Sequence, residues 1–326
     1  MKKFIFTLCT ALLLLSCDDQ PVTVQDSMGQ LNKIMVVIEN EDWDGQVGDT
    51  IRNVLAQSVV GIVRDEPLFT LNHVKPRSFK GAIQKSRNFL QIKKSDSVKV
   101  SVKENPYANP QLGIIVSGPN PDAVAQAVYD NQNDIIKLFT KSEVSYKKGL
   151  MDKVALNVDR IKKRFGIDLT VPRAYRYAAV NDPDFVWLRR NIPEGTMDLM
   201  IYEVDRSLIT RDSNTVSQII KVRDSIGGLK IPVDEGGVFQ TEPIFTPSLF
   251  ESEVAGAFAF ETRGTWEVKN MFMAGPFINY AVYNKERDNW LILEGYVSAP
   301  NADKRNYLFE IEAILRSASF VAAPSE

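Results

Sequence analysis

The sequence predicts an α+β fold of two similar sheet-plus-helix lobes, mostly antiparallel. Three observations carry that expectation. Stretches that alternate with period two, such as Val98, Val100 and Val102 between Lys99, Ser101 and Lys103, are interleaved with stretches whose apolar residues recur every three or four positions. In the second half, short polar segments such as Pro193-Glu194-Gly195 and 284–289 join strand-like runs as hairpin turns do. Finally, Glu66-Pro67-Leu68-Phe69 returns as Glu242-Pro243-Ile244-Phe245, and Ile115-Val116-Ser117-Gly118-Pro119-Asn120 returns as Tyr296-Val297-Ser298-Ala299-Pro300-Asn301. The two separations, 176 and 181 residues, are close enough for an internal duplication.

In chain order, 34–38 is a continuous apolar run, the pattern of a buried strand. Asp49 is placed to cap a short helix that turns Ile51, Val54 and Leu55 inward. After Glu66-Pro67 the chain extends over 68–74. The spacing of Phe79, Ile83 and Leu90 predicts a second helix over 78–92. Strands follow at 98–102, half-exposed, and 112–116. Pro119-Asn120-Pro121-Asp122 opens a long helical region through Val124, Val128, Ile135 and Leu138. Beyond Gly149 it continues through Met151, Val154, Val158, Ile161 and Phe165. Lys162, Lys163 and Arg164 suit the negative end of a helix, and Gly166 suits its C-cap.

Pro172 divides an N-terminal lobe, 31–171, from a C-terminal lobe, 172–326. In the latter, 175–180, 185–190 and 197–204 read as strands. A helix over 215–226 is ended by Gly227-Gly228, and 232–253 is loop-like with short extended pieces. Strands at 257–262, 265–272, 277–283 and 290–297 lead to a closing helix over 303–317 that buries Leu308, Ile311 and Leu315.

The first residues have another character. Lys2 and Lys3 precede an apolar run over 4–15, too short for a spanning helix of roughly 20 residues. Leu14-Leu15-Ser16-Cys17 closes it and resembles the lipobox of a bacterial lipoprotein signal. The resemblance implies that 1–16 is a signal peptide, removed in front of Cys17, and that Cys17 carries diacylglycerol and a further acyl chain such as palmitate. Several chains hold far better than one, since each buried methylene adds about 0.8 kcal/mol. Residues 17–30, polar and without period, read as a flexible tether. Asp18-Asp19 behind the cysteine resembles a Bacteroidota signal for export toward the cell surface, although an Asp there retains enterobacterial lipoproteins at the inner membrane. The expected address is the cell envelope, with the outer membrane favoured and the bilayer as first partner.

Composition narrows the chemistry. Basic and acidic residues number 39 and 41, which attracts no nucleic acid. Cys9 leaves with the signal and Cys17 carries lipid, so the body has no disulfide, thiolate nucleophile or cysteine metal site. His73 is the single histidine and falls on a strand, which removes two-His metal sites within one chain. No phosphate loop, dinucleotide fingerprint, calcium loop or nucleophile elbow is present. No catalytic residue, metal or other cofactor is therefore assigned.

The candidate binding patch is Arg263, Trp266, Lys269, Asn270 and Glu294. Glu294 shares a strand face with Trp290, Ile292 and Tyr296, where a carboxylate is costly unless paired. Arg263 or Lys269 is the expected partner, either in a structural ion pair or as an anchor in a binding cleft. Four Asp-(Ser/Thr)-apolar triplets, at Ser27, Thr50, Ser97 and Ser225, resemble the O-glycosylation acceptor of Bacteroidota envelope proteins, with Ser27 in the tether the most accessible.

The run Trp43-Asp44-Gly45-Gln46-Val47-Gly48-Asp49-Thr50-Ile51-Arg52, then Glu66 to Thr70, is similar to the start of a Bacteroidota lipoprotein family, domain of unknown function 4837. Gly264-Thr265-Trp266-Glu267-Val268-Lys269-Asn270, Gly275-Pro276-Phe277 and Asp303-Lys304-Arg305-Asn306-Tyr307-Leu308 are similar to its end. The likeness spans nearly the whole mature chain and implies a lipid-anchored envelope protein. The favoured expectation is a non-enzymatic binding or assembly module for an envelope protein or glycan. A carboxylate-dependent hydrolase of glycan or peptidoglycan, and a surface-exposed ligand-binding lipoprotein, are the alternatives.

Overall fold

The computed structural model describes residues 25–178, 182–234 and 236–321. The signal-like segment, Cys17 and Asp18-Asp19 lie outside the described residues. The first lobe runs β1 (Lys33–Val37), α1 (Asn40–Trp43), α2 (Gln46–Leu55), β2 (Thr70–Val74), β3 (Asn88–Lys94), β4 (Lys99–Glu104), β5 (Leu112–Gly118), α3 (Pro121–Asp130) and α4 (Gln132–Asp152). Then come α5 (Asp159–Phe165), β6 (Ile167–Asp168), β7 (Arg176–Tyr177), β8 (Phe185–Ile192), β9 (Gly195–Asp205), α6 (Thr215–Lys230), β10 (Val238–Thr241), β11 (Ser248–Val254), β12 (Ala257–Lys269), β13 (Ala274–Asn284), β14 (Asn289–Ser298), α7 (Arg305–Arg316) and β15 (Ser319–Phe320). The fold is α+β, and most strand pairings are antiparallel.

The five-stranded sheet has the order β2-β1-β3-β5-β4. Within it, β1 lies parallel to β2 and β3, β3 lies parallel to β5, and only β4 is antiparallel. Ile34, Val36, Leu90, Ile92, Ile114 and Val116 meet the apolar stripes of α2, α3 and α4 on one face. Asn120 starts α3 by accepting from the Ala123 amide at 2.9 Å, with Pro121 in the first turn. The larger sheet has the order β10-β12-β13-β14-β9-β8-β7, with β11 continuing along β12, and is antiparallel throughout. One face packs under α6, and the other under α5, α7 and the segment between α4 and β7.

Several expectations change. The helix over 78–92 is instead two single turns at 76–78 and 83–85, followed by β3. Phe79 and Ile83 belong to the segment lying over the sheet and Leu90 to β3 itself, so the helical spacing of the three joins residues of separate elements. The long helix stops at Asp152. Residues 154–156 turn aside to pair with the main chain of 171–173, and α5 begins afresh. Val158, Ile161, Phe165, Ile167, Leu169 and Val171, assigned by sequence to the first lobe, enter the core of the second. Gly166 does end a helix, with φ 65 and its amide on the Lys162 carbonyl. Gly227-Gly228 does not: α6 runs on to Lys230, and Gly227 is the gap into which the Phe239 ring fits, since a Cβ there would come within 2.8 Å of it. Asp49 lies inside α2, behind the Gly45 N-cap, and pairs with Arg52 at 2.7 Å. The runs at 257–262 and 265–272 belong to one strand, β12.

Two broader expectations also shift. The end of the tether is pinned: the Ser27 amide donates to the Asn109 carbonyl at 3.2 Å, and the Met28 amide to Lys85 at 2.8 Å. The lobes are not copies, since one sheet is five-stranded and largely parallel and the other eight-stranded and antiparallel. The repeated motifs accordingly do different work. The buried Glu66 carboxylate accepts from the Lys304 and Arg305 amides at 2.7–2.9 Å and so caps α7 across the lobe junction. Glu242 accepts from Ile244 and Phe245, folding its own turn.

Candidate functional site

The site is built on the alternation of β14. Trp290, Ile292, Glu294 and Tyr296 point toward α6, while Leu291, Leu293 and Val297 point toward α7. Glu294 is fully buried. Its partner comes from α6, where Arg223 falls on the inward stripe with Ile219 and Gly227. Arg223 Nε donates to Glu294 Oε1 at 2.9 Å, and Asn279 Nδ2 donates to Oε2 at 2.9 Å. The guanidinium lies 4.1 Å from the Phe277 ring centre and 4.9 Å from that of Phe239. Burial pushes the Glu294 carboxyl above its ordinary range, against the pull of Arg223 and Asn279.

Arg223 also reaches outward, donating from Nη1 to Thr241 Oγ1 at 3.0 Å and to Asp224 Oδ1 at 3.3 Å. Asp224 Oδ1 in turn accepts from the Thr241 amide and hydroxyl, both at 2.7 Å. Thr241 ends the edge strand β10, so Asp224 occupies an outward donor that an unguarded edge would offer to another chain. Above this contact opens a cleft of about 330 Å³ between α6 and the 242–247 loop, walled by Ile220, Asp224, Thr241, Glu242 and Phe245. Among the described residues, Asp224 Oδ2 has no hydrogen-bond partner, whereas both Glu242 oxygens are taken up by their own turn. Ile244 and Phe245 on the rim are 81% and 53% exposed. The arrangement suits a group that donates a hydrogen bond beside an apolar surface. Glu294 is sealed beneath Arg223 and faces no opening.

A family model described as a domain of unknown function, DUF4837, matches residues 155–317, half of the chain. The chain belongs to the DUF4837 family. A second model, also a domain of unknown function, DUF8532, matches residues 27–152. The DUF4837 match thus covers the second lobe, and the Trp43 and Glu66 motifs fall within the DUF8532 match. No curated protein matches. Among solved structures, the Ran-binding protein Mog1p of Saccharomyces cerevisiae is similar at 8% identity over 48% of this chain and 90% of its own, with a TM-score of 0.32. A point mutant of protein Mog1 is similar at 7% identity over 48% of this chain and 92% of its own, with a TM-score of 0.29.

In this DUF4837 chain the five patch residues do not meet. Trp266 lies in the same layer as Glu294, buried, with Nε1 donating to the Val297 carbonyl at 3.1 Å. Arg263 points to the opposite face and pairs with Glu261 and Glu312. Lys269 is exposed at the end of β12, and Asn270, at φ 67, turns the hairpin and donates to the Gly236 carbonyl at 3.2 Å. Neither Arg263 nor Lys269 partners Glu294. Arg223 does, and its signal was present in the sequence as an arginine on the apolar stripe of α6.

The glycosylation candidates separate by geometry. The Ser27 hydroxyl is sealed from solvent, contrary to its expected accessibility. Thr50 Oγ1 donates to the Gln46 carbonyl within α2 at 2.9 Å, and Ser225 sits mid-helix on α6. Ser97 alone of the four is exposed in a turn, between β3 and β4. His73 lies on β2, its ring stacked 4.9 Å from Trp43.

Proposed function

We propose that the protein is a lipid-anchored envelope binding module, tied to the outer membrane through Cys17, whose α6–β10 cleft receives part of an envelope partner. The lipobox-like Leu14-Leu15-Ser16-Cys17 supports the anchor. The observation that carries the binding role is the cleft itself: a free carboxylate oxygen on Asp224 beside exposed Ile244 and Phe245, held by a buried ion pair. Labelled palmitate appears on the wild-type chain and not on Cys17→Ala. A photo-crosslinking residue at Phe245 gives a defined adduct in intact envelopes, and one at Lys137, on the far lobe, does not. An unlabelled wild-type chain removes the anchor, and absence of any Phe245 adduct removes the cleft.

The hydrolase alternative draws on one fact, that Asp224 and Glu242 share the cleft. Paired catalytic carboxylates work with their oxygens free toward substrate, and here Glu242 is committed to its own backbone. If Asp224→Asn abolished turnover of a peptidoglycan substrate by the purified protein, the enzyme reading would replace the binding one.

A further inference from the structure

Among the described residues, the helices of the first lobe leave one side of its sheet without a helical cover. α2, α3 and α4 all pack against the side that carries Ile34, Val36, Leu90 and Ile114. Across the other side, among the described residues, run the 76–86 segment, whose Phe79 covers Val37 and Phe89, ring centre to ring centre 5.0 Å for the latter, and Tyr107, whose ring centre lies 6.0 Å from that of Phe89. The rest of that side is basic. Lys93 of β3 and Lys99 of β4 both stand opposite Ser117 of β5, so they flank it about 10 Å apart in one row. Lys103 stands opposite Gly113, roughly 13 Å further along β4. All three are exposed, as are Arg77 and Lys80 on the covering segment. None of these five has a carboxylate within ion-pairing distance among the described residues. Residues 75–103 hold nine basic side chains and a single acidic one, Asp96, in a chain whose whole complement is 39 against 41.

The chain enters the body beside this same surface. Met28 bonds to Lys85 at the end of the covering segment, and Ser27 to Asn109. Met28, Ile83 and Tyr107 are 53%, 40% and 43% exposed there. Gln25 lies eight residue steps beyond Cys17, a reach of no more than about 28 Å even when fully extended. A body held so closely rests some part of its surface on the bilayer.

We infer that the helix-free, lysine-rich side of the five-stranded sheet is that part, and that it lies against anionic phospholipid. The orientation argument rests on the lipid-anchor reading, but the charge complementarity does not. A lysine close to an anionic bilayer strengthens binding about fivefold, an effect that fades within a Debye length of roughly 8 Å. Three lysines together are therefore worth roughly a hundredfold.

The test uses the mature chain with Cys17→Ala, which carries no lipid, and vesicles of phosphatidylcholine alone or mixed with phosphatidylglycerol. The expected result is salt-sensitive co-sedimentation with the mixed vesicles only. Combined Lys93→Ala, Lys99→Ala and Lys103→Ala lowers that partitioning roughly a hundredfold without altering the circular dichroism. The matching change at Lys137, Lys141 and Lys221 leaves it intact. No binding to mixed vesicles, equal binding to both kinds, equal loss from the two triple variants, or binding only to a soluble oligonucleotide would overturn the inference. Failure of Cys17 to take up palmitate in cells would sink the anchor and leave the vesicle result standing.

Discussion

The two faces of the eight-stranded sheet bury the same kinds of group in different proportions. Toward α6, each buried carboxylate meets a single guanidinium, Glu294 that of Arg223 and Asp198 that of Arg189. Toward α7, Glu261 and Glu312 meet Arg263 and Arg316 in a closed ring of four, its contacts at 2.5–2.9 Å. Burial pushes both Glu294 and Glu312 upward. On the first face it prevails; on the second, Arg263 and Arg316 outweigh it and hold Glu312 at about 2. Depth alone does not set the direction of a shift. The number of opposite charges within reach does.

The sharpest break of that comparison is Arg223→Met. It strands a buried carboxylate with one amide donor, and a loss of about 3–5 kcal/mol is expected in urea unfolding. Adding Glu294→Gln recovers most of it, because the stranded charge is gone. A loss from the single variant as small as that of a surface substitution would mean the pair is not sealed.

Acid separates the faces next. Glu312 is depressed from an ordinary 4.5 to about 2. Its stabilising contribution is therefore complete above about pH 4.5 and disappears as pH falls toward 2, on the order of 3 kcal/mol. Glu294 has the opposite sign. Its folded pKa is raised, so its contribution is greatest below the ordinary glutamate value and is lost as pH rises through the folded value. Unfolding free energy measured from neutral pH to about pH 2 is expected to fall less steeply in Arg316→Met than in the wild type. In Glu294→Gln the acid limb is expected to keep its shape and lose only the opposing component. Identical limbs in Arg316→Met and wild type would contradict the assignment.

The smallest effect belongs to Asp224→Asn. The amide oxygen still accepts from Thr241, and only the partly exposed charge contact with Arg223 is lost. About 1 kcal/mol is expected, with no change in the acid limb owed to Glu312.

How much of this was legible in the chain depended on whether the pattern was local. The alternation along β14, and with it the need for a partner to Glu294, could be read directly because each strand face meets one environment. The partner could not, because Arg223 lies 71 residues away and arrives through packing of α6. Its clue, a cation among Ile219, Ile220 and Ile226, competed with the reading of 224–226 as a modification triplet. The closing hairpins of the second lobe were legible for the same reason as β14. The 78–92 segment was not, since Phe79, Ile83 and Leu90 fall at helical spacing although only Leu90 belongs to β3. The repeated Glu-Pro motifs were visible, but the same four letters serve as a distant cap in one lobe and a local turn in the other. Only tertiary contact distinguishes those uses.

The Glu66 cap has a consequence for how the molecule is made. Its acceptor leaves the ribosome 238 residues before the amide of Lys304. The first lobe has time to fold before the last helix is synthesised, so α7 meets a finished surface that sets its first turn. Assembly is thus directional, and a messenger cut short before residue 304 yields a product whose Glu66 carboxylate still waits for its helix.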